Sequence, residues 1–295
     1  MGLAWHARES VRSAARRVQI RAKLLGAALI AELCPPTRRA DVTRWIYDRA
    51  DEYRKGGAFF DRGLFPWEED LVVARGFPVR GTVLVGGVGG GRWLRPLSAR
   101  GYRVLGFDPS NLIEHAREVA RTLPHVKLAR GRYQDLGPAA RGAGPLAELF
   151  DGETIDAVVL AFGSITHIAA AERRALMRDL KVLAPGATVF LTFPSQRKSE
   201  WMSWYRNARS WIRLLRRPAS DDGADFILGA GFVYLTTRSE IEAMCQEAGY
   251  SLEDYVEQEY GTALARPNRR DRRAPQNWMS PSARISSSAG PDGSR

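Results

Sequence analysis

The stretch from Val83 to Arg92 constrains this chain more than any other. An apolar, β-type run, Thr82 to Val85, enters a loop with five glycines in the six positions 86–91. A helix-compatible segment, Trp93 to Arg100, follows, then a turn at Gly101 and a second strand, Arg103 to Phe107, that ends on Asp108. Strand, glycine loop, helix, strand and acidic residue make the layout of a nucleotide site on a doubly wound sheet. Glycines let the backbone approach a ligand, and a helix start offers free N–H groups. Asp108 stands where a carboxylate can accept both hydroxyls of a ribose. A dinucleotide fingerprint would need glycine at position 92, where the chain has arginine, and the Gly-Lys-Ser/Thr ending of a phosphate-binding P-loop is absent.

Further strands and helices alternate after Asp108. The pattern predicts a helix over 111–122, a strand over 126–129, and a fully apolar strand over 157–161, as expected where both faces of a parallel sheet are covered. A helix over 172–183 leads to a fifth strand, 188–193. Thr237 to Glu240 is a capping box opening a helix that closes on Gly249. Two strands, 251–257 and 261–265, would finish the sheet as an antiparallel pair. The expected fold class is therefore α/β: a Rossmann-like, doubly wound, mostly parallel sheet with a C-terminal antiparallel strand, N-terminal helices and a helical lid insertion.

Gly87, Gly89 and Gly91 followed by Arg92, with Asp108-Pro109-Ser110 downstream, resemble the first two motifs of the class I S-adenosylmethionine (SAM)-dependent methyltransferases. The segment 60–69 is similar to the lead-in of some bacterial members, and Gly131 to Leu136 resembles their third motif. There the residue after glycine is usually acidic and accepts from adenine; here it is Arg132, which cannot accept. The resemblance implies SAM as cofactor. Gly87, Gly89 and Gly91 would admit its methionine part, Asp108 would hold the ribose, Tyr133 would flank the adenine, and the main chain at Ala161, Phe162 and Gly163 would meet the ammonium. Tyr47 and Tyr53 are candidates to close over the cofactor or the substrate, or are packing aromatics. The absence of an Asn/Asp-Pro-Pro-Tyr signature after the fourth strand argues against transfer to exocyclic base nitrogens.

His167 lies just beyond the fourth strand, where a substrate could sit. Its imidazole titrates near neutrality, so it is the candidate general base, with a structural histidine as the alternative. The helix expected over 200–217 carries Trp201, Trp204, Ala208, Trp211, Ile212 and Leu215 on one side and Arg206, Arg209, Arg213 and Arg216 on the other. Read as a lid, it puts Trp201 and Trp204 at the substrate and leaves a solvated basic face. A helix over 7–33 places Val11, Ala14, Val18, Leu25 and Leu29 together. That face suits packing on the domain, on a second subunit as a homodimer, or contact with a membrane surface or nucleic acid. Cys34-Pro35-Pro36 ends it, and a second helix is expected over 41–55.

The chain of 295 residues is 44% hydrophobic and 26% charged, with net charge +11. That composition is globular, no apolar run has the length of a membrane span, and two lone cysteines suggest neither disulfide nor metal ligation. A cytoplasmic enzyme is expected. Its regions would be an N-terminal helical part over 1–75, a SAM-binding core over 76–266 with the lid at 196–231, and a disordered basic tail over 267–295. The expected activity is methyl transfer to oxygen or nitrogen of a small molecule or short peptide, with no metal. An RNA methyltransferase using the basic clusters, or a SAM-binding scaffold without turnover, stand as alternatives.

Overall fold

In a computed structural model the structure describes residues 2–73, 77–194, 200–215, 223–257 and 260–268. The tail beyond 268, and the side chains of residues 2–13, 71, 73, 161 and 200–202, lie outside that description.

The core is one sheet in the order β3 (Val126–Arg130), β2 (Arg103–Asp108), β1 (Thr82–Gly86), β4 (Ala157–Leu160), β5 (Thr188–Pro194), β9 (Tyr260–Pro267) and β8 (Tyr250–Val256). β3 to β5 pair in parallel, and β9 runs antiparallel to both of its neighbours, β5 and β8. The doubly wound, mostly parallel sheet expected from the sequence is the one observed. Every residue of β1 and β4 is buried, because helices cover both faces. The pleat divides the strands' side chains. Leu84, Phe107, Leu160 and Leu191 face Leu176, Met177 and Leu180 of α9 (Ala170–Leu183) and Met244 of α11 (Arg238–Glu247). Val83, Val85, Val104, Val159 and Phe190 face Trp93, Leu97 and Ile113. These last sit at α5 (Leu94–Ala99) and α6 (Leu112–Ala120). α6 buries Leu112, Ile113, Ala116 and Val119 at helical spacing. α11 opens with the expected box: Thr237 Oγ1 accepts from the Glu240 amide, and Glu240 accepts from the Thr237 amide at 2.8 Å. Short helices α7 (Leu136–Ala139) and α8 (Ala147–Phe150) fill the crossover before β4.

The N-terminal region departs from the sequence reading in three ways. The first helix ends at Leu33, before Cys34-Pro35-Pro36 as expected, but the second, α2 (Pro36–Tyr47), begins at Pro36 and not at 41, because proline lacks only an N–H that the first turn leaves free anyway. The stretch 51–53 is a separate 3-10 turn, followed by α3 (Ala58–Asp61) and α4 (Pro66–Val73). In α1 (Gly2–Leu33) the buried side is Ala27, Ala28 and Ala31, whereas Val18, Leu25 and Leu29 of the expected packing stripe are exposed. Small alanines let α10 (Glu200–Leu215) and the hairpin β6 (Asp225–Ile227)–β7 (Gly231–Val233) approach closely.

α10 is also turned relative to the expectation. Arg209, assigned to a solvated basic face, is buried: its Nε donates to Glu32 at 2.6 Å and its Nη1 to Asp225, and Arg213 also reaches Glu32, at 2.9 Å. Trp211, assigned to the packed side, is exposed. Two carboxylates inside the helical layer draw the guanidinium inward, and the tryptophan turns out.

Candidate active site

The carboxyl ends of β1, β2 and β4 converge on a cavity of about 210 Å³ roofed by α2 and the turn at Tyr53. Asp108 lies at its wall, buried, with Oδ1 accepting from the Ser110 amide (2.8 Å) and hydroxyl (2.5 Å) and Oδ2 from the Gly89 amide (2.9 Å). Burial pushes its pKa up, and the bonds from Ser110 and Gly89 oppose that. A carboxylate has about four acceptor sites, so Asp108 keeps room for one donor, and two ribose hydroxyls would displace one of its present partners.

The glycines divide their work. A β-carbon on Gly89 (φ 53°) would meet nothing closer than Leu112 at 4.0 Å, so this residue opens onto the cavity. One on Gly87 would strike Ser164 at 2.5 Å, and one on Gly91 would strike Leu94 at 2.9 Å. Gly87 still lines the cavity; Gly91 instead lets the loop pack on α5 and α6. With an open glycine backbone, a buried carboxylate and room between them, these residues fit a nucleoside bearing an amino-acid arm.

Tyr133 lines the cavity, but its hydroxyl donates to Ser164 Oγ (2.5 Å), whose own proton goes to the Gly86 carbonyl (3.3 Å). The ring is thereby drawn toward the end of β1, and glycine at 86 makes space for it. Arg132 and Gln134 line the rim, with Gln134 tied to Glu172 at 2.7 Å. Beyond β4, Phe162 lines the cavity and Gly163 does not, while the side chain of Ala161 lies outside the described residues. The Gly163 amide donates to Thr192 (2.9 Å) and its carbonyl accepts from Thr166 (2.6 Å). Phe162 takes a left-handed backbone (φ 44°), which costs a residue with a β-carbon about 1–2 kcal/mol. Its ring is held by parallel stacking on Phe65 (5.4 Å) and near-parallel stacking on Tyr260 (5.2 Å).

His167 and Tyr47 meet within the same cavity lining. Nδ1–H of His167 donates to the Phe232 carbonyl (2.8 Å), which leaves Nε2 to accept from the Tyr47 hydroxyl (3.0 Å). Phe232 is placed by its amide, which donates to Thr43 Oγ1 on α2 (2.9 Å). The β6–β7 hairpin, of which the sequence suggests only a short strand over 232–235, thus fixes the imidazole tautomer. Burial lowers the His167 pKa and raises that of Tyr47 well above its ordinary value; Tyr53, hydrogen-bonded to Tyr47, is pushed up to about 12, again by burial first. The histidine is therefore a neutral base beside neutral phenols. Trp204 is half-buried and lines no part of the cavity, and the side chain of Trp201 lies outside the described residues.

Arg92 is the site residue whose role the sequence concealed. It pairs with the fully buried Glu68 (Nη2–Oε1 2.6 Å), donates to the Gly63 carbonyl (2.8 Å), and lies 5.0 Å from the ring centres of both Phe65 and Phe162. Glu68 accepts in turn from the Phe65 amide (2.8 Å). The arginine in the third-glycine place fastens the lead-in segment to the glycine loop.

Residues 66–255 match the methyltransferase domain family. The chain belongs to that family. No curated protein sequence matches it. Among solved structures, this methyltransferase is similar to the Burkholderia thailandensis 1,6-didemethyltoxoflavin-N1-methyltransferase with its substrate and S-adenosylhomocysteine bound. The identity is 15% over 80% of this chain and 91% of that one, with a TM-score of 0.53. It is also similar to the magnesium protoporphyrin IX methyltransferase of Synechocystis PCC 6803 with S-adenosylhomocysteine bound. There the identity is 17% over 67% and 79% of the two chains, with a TM-score of 0.46. At these identities the likeness is one of fold, that of class I methyltransferases.

Proposed function

We propose that this methyltransferase moves the methyl group of SAM to an oxygen or nitrogen of a small molecule or short peptide. The observation that carries the reading is one cavity lined both by Gly89 and Asp108 and by the hydrogen-bonded Tyr47–His167 pair. SAM, when bound, supplies a methyl electrophile. Asp108 holds the ribose, and the open backbone at Gly89 admits the nucleoside close to the loop. Neutral His167, its Nδ1–H fixed on Phe232, takes up the acceptor's proton through Tyr47: the phenol receives that proton at its oxygen as its own passes to Nε2. Aromatic walls from Tyr53 and Phe162 exclude water and align the acceptor. A chamber of about 210 Å³ that includes Tyr47, Tyr53 and Phe162 in its lining favours a compact acceptor. Burial of Arg209 against Glu32 and Asp225 removes one cation from the surface that an RNA substrate would need.

The test is calorimetric titration of SAM, then S-adenosylhomocysteine release across hydroxyl, carboxyl and amine acceptors. Binding followed by release with at least one small acceptor is expected. Absence of SAM binding sinks the reading, and binding without release from any acceptor points to the scaffold alternative.

A further inference from the structure

We propose that Arg173 is a positioning residue for methyl transfer: its guanidinium clamps the segment carrying His167 to the end of β7, and so keeps His167 Nε2 in its proton-accepting state. This rests on the reading of the Tyr47–His167 pair as the base. Arg173 shares the buried side of α9 with Leu176, Met177 and Leu180, at the spacing i, i+3, i+4 and i+7. It stands where the helix periodicity calls for an apolar residue, and it is 3% exposed. Among the described residues it forms no ion pair. A cation buried without a carboxylate is costly unless its hydrogens find acceptors. Here Nη1 donates to two main-chain carbonyls, those of Ile168 and Tyr234, each at 3.0 Å.

Those carbonyls belong to the two segments that meet at His167. The Tyr234 amide donates to the Thr166 carbonyl (2.7 Å), and His167 Nδ1–H donates to the Phe232 carbonyl (2.8 Å). Arg173 then joins Ile168 to Tyr234. Carbonyls accept and cannot bond to one another, so this end of the pairing needs a donor from outside. α9 offers one from a fixed place, since Glu172 in its first turn accepts from the Ala169 amide (2.9 Å) and from Gln134 (2.7 Å). Without the bridge the two segments part beside Ile168 and Tyr234, and the imidazole loses its hold on the Phe232 carbonyl. The ring is then free to carry its proton on Nε2 and donate to the Tyr47 oxygen, a state that takes up no proton there. Arg173 does not line the cavity, so its effect reaches the reaction through His167.

Nitrogen-15 NMR of the full chain labelled in histidine reads the tautomer, with His167→Asn assigning the signal. We expect Nδ1–H and a bare Nε2 in the wild type. Arg173→Met keeps an apolar stem and removes every donor. It should show the Nε2–H tautomer or an average of the two, and its kcat, with an acceptor that yields S-adenosylhomocysteine, should fall by about tenfold to a hundredfold at an unchanged KM for SAM. Arg173→Lys, with three ammonium donors, should restore the wild-type tautomer and most of kcat. If Arg173→Met does not fold, Arg173→Gln, shorter and with fewer donors, takes its place with the same expectation. A wild-type tautomer in the folded Met or Gln variant overturns the proposal, whatever the activity. A shifted tautomer with kcat intact upholds the clamp and removes His167 as the base, so the two readings fail separately.

Discussion

The main-chain oxygen of Tyr53 lies 2.0 Å from the point that a β-carbon on Gly90 would occupy. The glycine loop and the turn above it are thus in direct backbone contact, and Tyr53 brings Tyr47 and His167 with it. Gly90→Ala must push that turn away, at the 1–3 kcal/mol typical of overpacking. We expect SAM affinity to fall by about tenfold in calorimetry and kcat to fall with it, while the circular dichroism of the core is unchanged. An unaltered affinity would show that the turn is no part of the cofactor's cover.

Asp108→Asn keeps the shape but sets an amide hydrogen against the Gly89 or Ser110 N–H groups that the carboxylate now accepts. A hydrogen bond to a charged group is worth about 1.5–3 kcal/mol. SAM should therefore bind roughly ten to a hundredfold more weakly, measured against a wild-type titration in the same buffer.

His167 predicts a pH dependence. Burial lowers its pKa in the folded chain, so the neutral form persists below the ordinary value of about 6.5. The stability this contributes is complete above about 6.5 and is lost as pH falls toward the depressed folded pKa. Turnover should decline as pH falls through the depressed folded value itself, below about 6.5. Tyr47→Phe should lower kcat by about a hundredfold or more, in the range of general-base effects, with little change in the KM for SAM. His167→Asn should flatten the acid limb. A wild-type limb centred above 6.5, or one that survives in His167→Asn, would assign the base elsewhere.

Glu68→Gln leaves the Arg92 guanidinium buried with a neutral partner. Breaking a buried pair from one side costs about 3–5 kcal/mol, and urea unfolding should register that loss. Because Arg92 also lies beside Phe162, the variant should lose activity at temperatures where the wild type is fully folded.

Much of the fold was readable because its signals are local. Strands β1, β2, β4 and β5 announce themselves as mainly apolar runs, and Asp108 and the glycine loop are fixed by their place at strand ends. Residues whose partners are distant were not readable. His167 meets Tyr47 across 120 positions and Arg209 meets Glu32 across 177, and no periodicity reports such pairs. The α1 stripe misled for a related reason: helical spacing says which residues share a face, and only the neighbours decide which face is covered. The proline pair marks the end of α1 in the sequence but hides the start of α2, because the second proline is also a good first residue of a helix.

One guanidinium, that of Arg92, ties together stretches of chain centred on 63–68 and on 162. Amide hydrogens in those separate stretches should then exchange with deuterium at one common rate, set by a single opening event. The reaction chamber would come apart as a unit, with no partly assembled form in between.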